Sequence, residues 1–181
     1  MLEKPFRAIG GRATAAALAL ALVGGCQRLP WFSPKLTSDP PVNQKVPEPI
    51  DLLLPRSIHI HAFTGTRVFN EHGGITGIDV RVQAKDHFGD PAKAFGRFRF
   101  ELFHYLPRSS TRRGDRIAVW TEDVLDPKVN RNHWQALFQA YRFKLGWHQD
   151  IPVGRKFALV VTFESPFTNR LASQKVFVAG Q

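Results

Sequence analysis

Arg97-Phe98-Arg99-Phe100-Glu101-Leu102 alternates charged and apolar residues without a break. Successive side chains of a strand point to opposite faces. A period of two therefore collects Phe98, Phe100 and Leu102 on one face and Arg97, Arg99 and Glu101 on the other. The same rhythm recurs on both sides of this stretch. In residues 78–84, Ile78, Val80, Val82 and Ala84 alternate with Asp79, Arg81 and Gln83. In residues 57–62, Ile58, Ile60 and Ala62 alternate with Ser57, His59 and His61. Tyr141, Phe143, Leu145 and Trp147 alternate with Arg142, Lys144 and Gly146. Ile117, Val119 and Thr121 mark a shorter strand whose other face carries Trp120, residues 157–163 are nearly all apolar, and residues 171–178 close the set. Alternation predicts half-buried antiparallel strands, and the apolar run predicts a strand buried on both faces.

Turn signals separate these segments: His72-Gly73-Gly74, Gly89-Asp90-Pro91, Arg113-Gly114-Asp115, Asp126-Pro127, Pro152-Val153-Gly154 and Ser165-Pro166. About seven short strands with no βαβ rhythm predict an all-β fold, a two-sheet antiparallel sandwich over residues 56–181. In strand count and spacing it resembles the immunoglobulin and fibronectin type III class, without the cysteine pair of antibody domains. One segment departs from the pattern. Trp134, Leu137, Phe138 and Tyr141 fall at helical spacing, with Asn130 or Asn132 available as a cap. Residues 131–138 therefore read as a short helix or an irregular crossover.

The amino-terminal region carries a different signal. Lys4, Arg7 and Arg12 precede an apolar run over residues 13–23, and Val23-Gly24-Gly25-Cys26 follows. That run is too short to span about 30 Å of hydrocarbon as a helix, but it suits a secretory signal peptide. The segment resembles the lipobox of bacterial lipoproteins. The resemblance implies that residues 1–25 are removed and that Cys26 becomes a lipidated amino terminus carrying diacylglycerol and a fatty acyl chain such as palmitate. An ordinary secretory peptide with a chance cysteine, or an anchor that is never cleaved, are the other readings. Gln27 follows where an Asp commonly favours inner-membrane retention in such lipoproteins, so the resemblance favours the outer membrane over the inner.

Residues 26–55 read as a tether. Seven of the chain's 13 prolines lie there: Pro30, Pro34, Pro40, Pro41, Pro47, Pro49 and Pro55. Proline fixes φ and removes amide donors, which favours an extended, semi-rigid linker with an upper reach on the order of 90 Å. The single Cys leaves no partner for an intramolecular disulfide, so an apolar core rich in Phe and Trp must hold the domain.

The formal charge is +10. Three bases against one acid in residues 1–26, and three against three in residues 27–55, leave +8 for residues 56–181. A basic domain attracts polyanions. For an exported protein these are lipid headgroups, lipopolysaccharide phosphates and acidic polysaccharides, and nucleic acid is not expected as a partner. The best sequence candidate for an anion contact is the stretch from Pro107 to Arg116, with Arg108, Arg112, Arg113 and Arg116 against Asp115 alone. The same residues also read as a solvated hairpin tip, the more common use of a charge-rich turn.

Other constellations are weaker. His59 and His61 share a strand face, as some metal sites begin, but nothing in the spacing supplies a third ligand, and packed or exposed histidines are the plainer reading. Glu122, Asp123 and Asp126, and Asp86 with Asp90, read as turn-forming acids rather than a calcium loop. Trp120, Trp134, Tyr141 and Trp147 read as core or as a carbohydrate platform. No nucleophile elbow, P-loop or dinucleotide fingerprint is present, so no catalytic residue and no cofactor are expected. The sequence thus predicts a non-enzymatic, membrane-anchored envelope lipoprotein, a binding or structural module for an anionic polymer or envelope protein. The alternatives are a carbohydrate- or lipopolysaccharide-binding module and, last, an enzyme with a loop-based site.

Overall fold

The computed structural model describes residues 47–48, 50–69, 77–147 and 151–180. Residues 1–25, read above as a signal peptide, Cys26, most of the stretch read as a tether, His72, His148 and the turn expected at residues 72–74 lie outside the described residues. A 3-10 turn, Ile50–Leu53, leads into β1 (Ser57–Ile60). β2 (Gly65–Arg67), β3 (Gly77–Lys85), β4 (Arg97–Tyr105) and β5 (Arg113–Asp123) follow. Then come α1 (Pro127–His133), β6 (Trp134–Gln135), β7 (Ala140–Gly146), β8 (Lys156–Glu164) and β9 (Leu171–Val178).

All pairings between these strands are antiparallel. One sheet runs β1-β3-β7-β6, with β2 beside β1 along the same edge of β3. The other runs β5-β4-β8-β9. The chain changes sheet after β3, β5 and β7, so runs of two or three consecutive strands fall in each sheet in turn and build a two-sheet antiparallel sandwich. Each of the seven expected strands is present, together with two short ones, β2 and β6. β5 is longer than expected, at 11 residues, and a register irregularity opposite Phe103 changes its facing. Ala118 and Trp120, with Ile117, pack on the core, whereas Val119 is exposed.

The expected helix needs correction. It covers Pro127–His133, and its cap is Asp126, whose carboxylate accepts from the amides of Lys128 and Val129. Pro127 at the first helical position costs no hydrogen bond there, so Asp126-Pro127 starts the helix well before residue 131. The chain is extended again at Trp134 and Gln135. The helical spacing of Trp134, Leu137, Phe138 and Tyr141 belongs to a strand, a turn and the next strand.

Between the sheets lies an aromatic core. Phe98 touches Phe100 and Phe163 of its own sheet and Tyr141 and Phe143 of the other, with ring centres 4.8 to 6.2 Å apart. Ile78, Val80, Val82, Leu102, Leu145, Leu159 and Val161 complete the layer, each essentially without solvent exposure. Every residue of β8 from Phe157 to Phe163 is buried, as its apolar run predicts. Gly96 sits where a Cβ would run into the carbonyl of Glu164 and the ring of Phe163, so any larger residue would push the start of β4 off β8.

One polar node is built into this core. The Tyr141 hydroxyl accepts from the Ala94 amide at 2.9 Å and lies 2.9 Å from Asn130 Oδ1, to which it donates. Asn130 Nδ2 donates to the carbonyls of Ala94 (2.6 Å) and Val124 (2.8 Å). The node ties α1, the β3–β4 connection and the end of β5 to β7. Burial pushes the Tyr141 phenol above its ordinary range. The unfolded chain ionises Tyr near pH 10, so this contribution to stability is complete below about pH 10 and fades as pH climbs through the raised folded value. The stability difference between the native protein and Tyr141→Phe, measured by urea unfolding between about pH 8 and 11, is expected to shrink at the alkaline end. A difference that stays constant would show that the phenol ionises as freely in the fold as out of it.

Both lateral seams of the sandwich are stitched. At one, Trp120 Nε1 of β5 donates to the Gly146 carbonyl of β7 at 2.8 Å. At the other, Lys175 Nζ of β9 donates to the carbonyls of His61 (2.9 Å) and Ala62 (2.5 Å) in the β1–β2 turn. The Gly180 amide donates to Thr66 Oγ1 at 2.7 Å on the same side. Burial holds the Lys175 ammonium below its usual range. Hydrogen bonds from a charged donor are worth about 1.5–3 kcal/mol, so Lys175→Met is expected to lower stability by about 2 kcal/mol in urea unfolding. A change within a few tenths would mean the β1–β2 turn holds its shape without the lysine.

Candidate functional site

The register defines two ends of the sandwich. Ser57 lies opposite Lys85, and Arg97 opposite Asp123 and Glu164. That is the end at which the chain joins the domain, where the amide of His87 donates to the carbonyl of Leu52. At the other end Tyr105 lies opposite Arg113, and Lys156 opposite Val178. Nine-residue strands such as β4 and β8 separate the two ends by about 30 Å.

The connection between β4 and β5 sits at this far end. It is a tight turn: the amide of Ser109 donates to the Leu106 carbonyl at 3.2 Å, and the amide of Arg112 to the Ser109 carbonyl at 2.9 Å. Arg112 has φ +57, the left-handed region that a side chain adopts at a cost. Gln174 pairs with Val160, so its side chain lies on the outer face of the second sheet, and its Nε2 donates to the Thr111 carbonyl at 2.8 Å. The tip is therefore folded back over that face and fastened to β9.

The four arginines expected from the sequence separate into two kinds. Arg116 Nη1 pairs with Glu101 Oε1 at 3.0 Å, and Arg99 shares the same carboxylate at 3.4 Å. Arg108 and Arg112 are exposed at the tip. Arg113 is half-buried, its guanidinium carbon 5.6 Å from the centre of the Phe103 ring, and its Nε is buried without a hydrogen-bond partner. Arg112 and Arg113, with Ser110, Thr111, Gln174 and Val176, line an open hollow of about 710 Å³. A second hollow of about 290 Å³ lies between His104, Tyr105, Arg155 and Lys156, with Lys156 Nζ 5.8 Å from the centre of the Tyr105 ring. Arg155 and Lys156 are exposed. Nothing local marks them as partners of the turn, because only the β4–β8 pairing brings them to it.

The remaining sequence candidates fall elsewhere. His59 Nε2 lies 3.3 Å from Ser57 Oγ, and His61 packs on Phe63, ring centres 5.0 Å apart, and on Phe138. Among the described residues no group of three or more His, Cys, Asp or Glu is placed to hold a metal ion. Asp126 caps α1, Asp123 accepts from the Leu125 amide and pairs with Arg97, and Asp86 accepts from the amides of Phe88 and Asp90. Tyr141 is fully buried, while Trp120, Trp134 and Trp147 pack against the core. Lys93 Nζ sits 3.5 Å above the Trp134 ring, so that face is already taken by a cation. Buried Asp79 holds Arg142 through two 2.8 Å bonds on the outer face of the first sheet. No helix among the described residues is long and apolar enough to cross a membrane.

No known protein family, no curated protein and no solved structure matches this chain.

Proposed function

We propose that the chain is a lipid-anchored, non-enzymatic binding module of the bacterial cell envelope, fastened through acylated Cys26, with the outer membrane favoured. Its work is to hold a cationic tip at a distance from the anchor. The observation that carries this reading is the polarity of the sandwich: the tether joins at one end, and Arg108, Arg112, Arg113, Arg155 and Lys156 collect at the other. A proline-rich linker with a reach on the order of 90 Å, followed by a domain about 30 Å long, suits a partner away from the anchoring bilayer. Such a partner is an anionic envelope polymer or protein, drawn by unpaired positive charge and recognised by guanidinium forks. Lipopolysaccharide belongs to this class. A neutral-sugar platform is less well supported, because the tryptophans that could form one pack against the core.

Two measurements test the reading. Cys26→Ala should release the protein from the membrane fraction or leave it uncleaved, and unchanged detergent-dependent extraction would rule out the anchor. Replacing Arg108, Arg112 and Arg113 together with Gln should weaken salt-sensitive retention on an anionic polymer such as heparin by about tenfold without shifting the unfolding midpoint. Retention equal to the native protein's would remove the tip from the binding reading.

A further inference from the structure

The outer face of the second sheet carries four arginines, and three of them have a carboxylate partner. Arg97 pairs with Asp123 at 3.4 Å, and Arg99 and Arg116 pair with Glu101. The fourth, Arg113, faces the same way, opposite Tyr105, and among the described residues it has no carboxylate. It lies against Phe103 instead, with a buried Nε–H that meets no acceptor. Buried donors of this kind are nearly always satisfied in a native fold. Arg112, its neighbour, is held in the left-handed region by a turn that Gln174 pins to β9. Strain of this type persists only where the surroundings enforce it, and it concentrates at ligand sites. Among the described residues, Arg113 at the hollow is the arginine of this face that meets no acid.

We infer that the hollow between the β4–β5 turn and β9 is a binding site for a phosphate group, with Arg112 and Arg113 as its cationic donors and the Ser110 hydroxyl as a neutral one. The site rests on the anion-binding reading above and gives it an address and a ligand class. A phosphate monoester matches two guanidinium groups in charge, since it carries close to two negative charges and three terminal oxygens where a carboxylate carries one charge and two oxygens. The ring of Phe103 holds the Arg113 plane in place before the ligand arrives, which lowers the ordering cost of binding. An open hollow of about 710 Å³ leaves room for the group that carries the phosphate. That carrier is either a lipid headgroup or a phosphorylated polymer, since both display the same oxyanion.

The experiment is a titration of the full-length protein in neutral detergent with inorganic phosphate at constant ionic strength, followed through the arginine Nε–H resonances and, in every variant, through the backbone amide resonances of the β4–β5 turn. A saturable shift of the Arg113 signal is expected. Arg112→Gln combined with Arg113→Gln should weaken phosphate about tenfold, and Arg97→Gln, which removes the same kind of charge from the same face, should not. Arg113→Lys keeps the charge but loses the fork, and it should weaken binding nearly as much. If the double variant misfolds, Arg113→Lys alone decides the matter. Equal weakening by Arg97→Gln and the tip variants would overturn the site and leave a diffuse basic surface. Absence of any saturable shift in the native protein would overturn both the site and the anion-binding reading. Soluble short-chain phosphatidylglycerol and inorganic polyphosphate, added separately, then identify the carrier by which of them competes at lower phosphate concentration.

Discussion

Phe98→Ala lowers the free energy of unfolding by about 3–5 kcal/mol, the cost typical of deleting a buried aromatic ring and leaving a cavity. Domains of this size are stable by about 5–15 kcal/mol, so a large share is lost. The reason for choosing this ring is its position. Phe98 meets Phe163 at 4.8 Å and Phe143 at 5.1 Å, which makes it a contact both within its sheet and across to the other. Its neighbours cannot collapse into the space easily, because Phe143 and Tyr141 are themselves held by β3 and by the polar node. Urea unfolding should show a lower midpoint at an unchanged m value. A loss under about 1 kcal/mol would mean that the sheets do not meet through this ring.

Asn130→Ala is expected to cost about 3 kcal/mol. It removes a donor pair from the carbonyls of Ala94 and Val124 and an acceptor from the Tyr141 hydroxyl, and each buried polar group left unpaired costs about 1–3 kcal/mol. Asn130→Asp separates polarity from volume. It keeps the shape but turns an acceptor toward two carbonyls, so it should be at least as damaging at neutral pH. Its carboxyl would sit buried against acceptors, which raises the folded pKa. Stability should then recover as pH falls toward the carboxyl's ordinary range, because only the protonated form can donate. An Asn130→Asp variant as stable as the native protein at pH 7 would show that solvent reaches the node.

Much of the sandwich was legible because its strands obey a simple rule. Phe98, Phe100 and Leu102, or Val80 and Val82, can alternate with charges only if one face is wet. The pieces that escaped have no such signature. Gly65-Thr66-Arg67 carries no apolar alternation, and Trp134-Gln135 is too short to show a period. The helical spacing from Trp134 to Tyr141 misled because it is coincidental: Leu137 is 89% exposed, while Tyr141 is wholly buried. The local signal that governs there is Asp126-Pro127, a pair that serves turns and helix starts equally well. At the tip, composition alone marked Arg108, Arg112 and Arg113. Separating Arg116 from them required the register that sets it beside Glu101, including its irregularity near Phe103. Arg155 and Lys156 were not legible as part of the tip, because strand pairing across some fifty residues brings them there.

The clasp from β9 to the β1–β2 turn joins groups 114 residues apart along the chain. Contacts of that span form late, since everything between them must be ordered first. A polypeptide being synthesised or threaded through a pore therefore has its whole first sheet in hand before the clasp can close. Until β9 arrives, β8 stands as an unprotected edge, almost wholly apolar from Phe157 to Phe163. Edges of that kind invite other chains to pair with them. The nascent domain is at its most vulnerable to proteolysis and self-association in the interval just before its last strand docks, and a cut that removes β9 returns even the finished molecule to that exposed condition.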